Sequence, residues 1–175
     1  MHDSLSPIHR DRLLRSEEQQ RFLYGVRDVK EVLVLICGHG GRDVRCGITG
    51  PILRDQFEVC LPEKGLRILK DPMDIAHGDE AAVLPSPASD EPTARVALIS
   101  HIGGHKFAGN VIIYIPPGMK TADGKKHALA GCGIWYGRVE PKHIEGIVQE
   151  TVVGGRVIED LFRGGIKQGG EILRM

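Results

Sequence analysis

Apolar positions along the chain gather into short runs set apart by Gly- and Pro-dense stretches, 23 Gly and 10 Pro among 175 residues. "EVLVLICG" (Glu31 to Gly38) is a continuous run rich in Leu and β-branched residues. That pattern predicts a strand buried on both faces, with Cys37 at its end. The Gly-dense "GHGGRDVRCGITG" predicts a loop, and "TGPILRDQFEVCL" predicts a helix. Pro51 falls in the first turn of that helix, and Leu53, Phe57, Cys60 and Leu61 share one face. "RVALIS", "NVIIYIP" and "GIWYGRV" predict three further strands. "EPKHIEGIVQETVVGG" predicts a helix with Pro141 in its first turn, a stripe of Ile144, Ile147, Val148 and Val152, and a Gly pair to end it. "RVIEDLFRGG" is read as a final turn or two.

The remaining segments set the boundaries. Residues 1–16 are polar and Pro-broken and read as a linker or tail, before Ser16 caps a helical turn carrying Glu17 and Glu18. Residues 17–175 then form one α/β domain. Between Lys70 and Arg95 lie four of the ten prolines and many acids, which predicts a long exposed loop. No internal repeat is present.

Charge and composition remove several classes of function. The chain carries 23 basic and 23 acidic residues, and aromatics make up 5%. There is no electrostatic footprint for tracking phosphates and few platforms for stacking bases, so nucleic acid is not an expected partner. The apolar runs are far shorter than a membrane span, and the first 30 residues lack the apolar centre of a secretory signal. Four cysteines are too few for a disulfide framework and suit a reducing compartment.

The chemistry collects in the loops that follow the strands. Cys37 and Cys46 are spaced C-x8-C, and His101 and His105 are spaced H-x3-H in "SHIGGHKF". Two thiolates and two imidazoles make a four-donor set that suits zinc or an iron-sulfur cluster. The ordinary alternatives are a strand-end Cys serving as a small core residue and loop histidines that are simply solvated. Cys46 departs from the first, because glycines, cations and an approaching helix N-terminus favour its thiolate. The histidine pair departs from the second, because its glycines let the backbone wrap closely around a ligand. His39, between the cysteines, reads first as a solvated loop residue and only second as a spare ligand or a supporting group, and Arg42 and Arg45 read first as solvated and second as donors to cluster sulfur. Cys60 and Cys132 read as core, and His77, His127 and His143 as solvated.

The tail "WYGRVEPKHIEGIVQETVVGG" resembles the final strand and helix of thioredoxin-like [2Fe-2S] ferredoxins, with His101-x3-His105 where those proteins carry a C-x3-C pair. Together with "CGHGGRDVRCG", that exchange is similar to the fungal sucrase/ferredoxin-like family, most of all its altered-inheritance-of-mitochondria branch. The similarity runs from about Val32 to Leu161. It implies a thioredoxin-like fold, a central mixed β-sheet flanked by helices. It also implies a [2Fe-2S] cluster held by Cys37, Cys46, His101 and His105, a mitochondrial location with the cytoplasm as the alternative, and an N-terminal region in family members that this chain does not contain.

An oxidised [2Fe-2S] core of formal charge +2 with two thiolates sums to zero, against −2 with four thiolates. By the Rieske precedent, the exchange moves the potential from about −400 mV into a range of about −150 to +300 mV. The expected protein is an electron carrier with an unidentified redox partner protein rather than a stand-alone enzyme, and its transfer is proton-coupled if an outer imidazole nitrogen reaches solvent. Each pair of like ligands is expected to share one iron. The competing classes are a structural Cys2His2 zinc module and a thioredoxin-like thiol oxidoreductase. The C-x8-C loop is long for the first, and the second lacks both a C-x-x-C and a Pro before "NVIIYI".

Overall fold

The computed structural model describes residues 29–71 and 91–174. The expected tail at 1–16, the capped turn at Ser16, His77 and most of the acidic loop lie outside the described residues. Within them the chain forms an α/β unit around a seven-stranded mixed sheet.

Strand β1, Val32–Cys37, is central. Val32, Val34 and Ile36 are fully buried while Leu33 and Leu35 are half-buried, as a strand with both faces covered requires. Helix α1 follows, Val44–Glu63, and buries Leu53, Phe57 and Leu61 at four-residue intervals. Strands β2, Arg67–Ile68, and β3, Thr93–Ile99, come next, and β3 lies parallel to β1 with Cys37 opposite Ile99. Strand β4, Val111–Tyr114, runs antiparallel to β1, and β5, Gly133–Tyr136, antiparallel to β4. The order β3-β1-β4-β5, a parallel βαβ joined to an antiparallel pair, is the arrangement of thioredoxin-like folds.

A helical segment then runs through a short 3-10 turn at Pro141–His143, α2 at Ile144–Ile147 and a π-helical turn at Val148–Val153. The Ile144, Ile147, Val148 and Val152 stripe is buried in the same core as α1. Tyr136 explains the widened last turn. Its buried hydroxyl pairs with Thr151 Oγ1 at 2.6 Å and accepts from Ile158 N at 3.1 Å, holding the helix end and the chain after it on one strand.

Three expectations about elements need correction. Helix α1 begins seven residues before Pro51, because Asp43 is its cap: the backbone is extended there, and the carboxylate accepts from Arg45 N at 3.0 Å. Residues 162–166, read as turn, form strand β6, Phe162–Ile166, after a 3-10 turn at Glu159–Leu161, and β7, Ile172–Leu173, completes the sheet. Finally, Thr93 and Ala94 belong to β3 rather than to the acidic loop. Beyond β4, the sheet has an open apolar face formed by Ile112, Trp135, Ile166 and Ile172 around a groove of about 270 Å³.

Candidate functional site

Parallel neighbours end at the same edge of a sheet, so β1 and β3 deliver their outgoing loops to one place. Cys37 is the last residue of β1 and is 1% exposed. Its N–H donates to Asn110 O at 3.0 Å, and Gly38 N donates to Ile99 O at 3.1 Å, stitching the strand end to both neighbours. The loop 38–43 is shorter than its glycines suggested, and it places Cys46 in the first turn of α1 rather than in the loop. Two close approaches set that position. A Cβ on Gly47 would lie 2.7 Å from Gly40 Cα, and one on Gly50 would lie 2.8 Å from Cys37 O, so the helix start sits directly on the loop and strand end.

Cys46 is buried, and Cys37 is near enough to perturb its thiol. Its thiol pKa is raised, first by burial and then by the neighbouring Cys37 thiol, against a lowering contribution from the Gly109 N–H. This corrects the expectation of a thiolate favoured by nearby cations. Arg45 is exposed and engages Asp43 instead, through Nε–Oδ1 at 3.1 Å and Nη2–Oδ2 at 2.8 Å. A metal binding there would release the thiol proton. The Gly109 amide reaches the sulfur because its φ of +89° turns the chain tightly, where a Cβ would strike Val139 O at 2.5 Å.

The loop after β3 brings His101 to the same point, its Nδ1 3.9 Å from Cys37 Sγ. His105 opens a 3-10 turn, His105–Phe107, in the same connection; the placement of its side chain lies outside the described residues. Three of the four expected ligands therefore converge from three separate elements. Among the described residues no three His, Cys, Asp or Glu side chains close on one ion. A [2Fe-2S] body needs no such trio, since each iron takes only two protein donors and the remainder of its shell is sulfide. The chemistry of the donors fits that group, with Cys37 and Cys46 as thiolates and His101 as an imidazole.

The other candidates are set apart from this point. Cys60 is half-buried on α1 and Cys132 is buried before β5, both packed with the core. His39 and Arg42 are exposed, and His143 accepts from Glu140 N through Nδ1 at 3.0 Å. His127 is not solvated. It is 1% exposed, Nδ1 accepts from Leu129 N at 3.2 Å, and burial pulls its pKa down. The sequence reading missed Asn110 and Arg163, which buttress the histidine loop. Asn110 Oδ1 accepts from Trp135 Nε1 at 3.1 Å and from Arg163 Nη1 at 2.8 Å, and a Cβ on Gly103 would collide with both Asn110 and Arg163.

Soft donors thus cluster at one edge of a sheet with a thioredoxin-like arrangement of strands. The sucrase/ferredoxin-like family profile matches residues 3–164, and the chain belongs to that family. Among its relatives are the altered inheritance of mitochondria protein 32 of Debaryomyces hansenii, 40% identical over 84% of this chain, and that of Clavispora lusitaniae, 37% identical over 81%. These alignments cover 40% and 38% of the relatives, so the chain spans about two fifths of the curated proteins it matches. No solved structure matches the chain.

Proposed function

We propose that the chain is an electron-transfer module whose [2Fe-2S] cluster is held by Cys37, Cys46, His101 and His105. The observation that carries this reading is the convergence of Cys37, Cys46 and His101 at the end of β1, while Cys60 and Cys132 stay in the core. The ferredoxin-like family membership supports it. When bound, the cluster supplies a one-electron couple. The chain's part is to exclude water around the two buried sulfurs and to offer the Gly109 N–H to Cys46, a contact that favours the thiolate form. Two neutral imidazoles in place of thiolates keep the oxidised centre uncharged, which favours taking up an electron. The relatives' name points to mitochondria, and we place the module there, passing electrons to a protein partner.

A thiol–disulfide role is the second reading, favoured by the adjacency of the Cys37 and Cys46 sulfurs. One set of measurements separates the readings. Freshly purified protein should be red-brown, contain about two irons and two sulfides per chain, and give a one-electron reduced paramagnetic signal. Colourless protein with one zinc, or with an oxidisable Cys37–Cys46 pair and no iron, would refute the cluster.

A further inference from the structure

Beside the histidine loop, three cations gather about one aromatic ring. Arg163 Cζ lies 3.7 Å from the Phe107 centroid, Arg138 Cζ 5.6 Å and Lys106 Nζ 5.9 Å. We propose that Lys106, Arg138 and Arg163 form the docking surface for an acidic protein partner, a proposal that rests on the electron-transfer reading for the partner's being a redox protein.

The patch is not a by-product of excess positive charge, because the chain is neutral overall. Several cations elsewhere, Arg45, Arg95 and Arg156 among them, sit on carboxylates at 2.6 to 3.0 Å. Among the described residues no carboxylate pairs with Lys106, Arg138 or Arg163. Arg163 is nevertheless held in place. It stacks over Phe107, lies 4.8 Å from the Trp135 ring and donates to Asn110 Oδ1 at 2.8 Å. The backbone is shaped to admit it, since a Cβ on Gly137 would fall 2.5 Å from Arg163 Cδ.

A guanidinium has five N–H donors, and Asn110 takes one, leaving a rigid fork suited to a carboxylate. Partial burial and the nearby charge of Arg138 both work against the Arg163 cation, and the opposite charge of an incoming carboxylate would offset them. A compact trio around one ring suits a local acidic patch, whereas a nucleic acid backbone needs a basic track. Phe107 closes the 3-10 turn that His105 opens, so a partner seated here lies against the candidate ligand loop.

Trp135, the sole tryptophan, reports on the patch through its contact with Arg163. The test titrates purified protein of measured iron content with poly-L-glutamate, following Trp135 emission and heat together so that a silent fluorophore is not mistaken for absence of binding. Binding should saturate and weaken about tenfold or more between about 50 and 200 mM salt, as expected when several charge contacts form. Lys106→Gln combined with Arg138→Gln, both exposed positions, should weaken it by a similar factor at constant salt without moving the melting temperature. No heat or emission change, equal affinity in the double variant, or equally tight binding of oligothymidylate or inorganic phosphate would overturn the proposal. Iron-free protein that binds poly-L-glutamate would sink the cluster and leave the surface standing, and iron-loaded protein that ignores it would do the reverse.

Discussion

Gly47→Ala tests whether the close seating of α1 on the Cys37 loop holds the candidate site together. Helix propensity alone would make the substitution stabilising by up to about 1 kcal/mol, because Gly47 lies inside α1. The new methyl, however, would sit 2.7 Å from Gly40 Cα and 3.4 Å from Gly40 N. The first distance is about 0.8 Å inside ordinary carbon contact. Both atoms are backbone, so no rotamer change relieves them. Overpacking of this kind costs about 1–3 kcal/mol, which outweighs the propensity gain and leaves a net loss of up to about 2 kcal/mol. In a chain of 175 residues the upper figure is a melting-temperature drop of about 4–8 °C. Because Cys46 precedes Gly47, the shift should also separate the sulfurs and lower the iron content. Gly146→Ala is the counterpart, on an exposed turn of α2 where a Cβ meets nothing within 4 Å, and it should raise stability by about 0.5–1 kcal/mol. Circular dichroism melts and iron analysis on both variants give the answer. A Gly47→Ala protein that melts at or above the parent with its iron intact would refute the reasoning.

Further outcomes follow from individual side chains. Cys37→Ser and Cys46→Ser should lose most bound iron while Cys60→Ser and Cys132→Ser keep it, and full iron in Cys37→Ser would remove that residue from the ligand set. Tyr136→Phe strands the Ile158 N–H and the Thr151 hydroxyl in the core and should cost about 1–3 kcal/mol by urea unfolding; a neutral result would mean the hydroxyl does not hold the helix end. Burial lowers the His127 pKa below its unfolded value near 6.5, so the unfolded chain takes up the proton first. Stability from this group is therefore full above about pH 6.5 and falls as the pH drops toward the depressed folded pKa. His127→Asn should flatten the unfolding midpoint between about pH 7.5 and 5.5 relative to the parent, and parallel pH profiles would exclude His127 as the source.

How far the sequence could be read varied with where each residue's partners lie. Strands β1 and β4 were legible because their apolar runs are unbroken, and the α1 stripe because its spacing matches a helix. Strand β6 was not, since its Gly164–Gly165 pair reads as a turn; the reason for Gly165 is tertiary, as a Cβ there would press on Gly133 O at 3.0 Å. Pro51 suggested a helix start because Pro favours first turns, but the capping of Asp43 overrode that signal. At the site, the spacing of Cys37, Cys46 and His101 pointed to residues that do meet. Asn110 carried no local mark, because its side-chain partners lie 25 and 53 residues away. The stacking of Arg163 on Phe107 was equally invisible, since it depends on β6 lying beside β5.

Cys37 and His101 are 64 positions apart and meet only because β1 and β3 pair in parallel. Closing a loop of that length costs about 4 kcal/mol of chain entropy beyond a constant, far more than bringing together ligands a few residues apart. Metal cannot nucleate this fold in the way it organises a zinc finger, since the donors do not share a short segment. The sheet must form first. If the proposed cluster binds here, the polypeptide that receives it is already folded, with the Cys46 thiol buried and its pKa raised. On the cluster reading, maturation becomes a delivery to a finished scaffold, and the unloaded form should survive as a stable folded species able to wait for it.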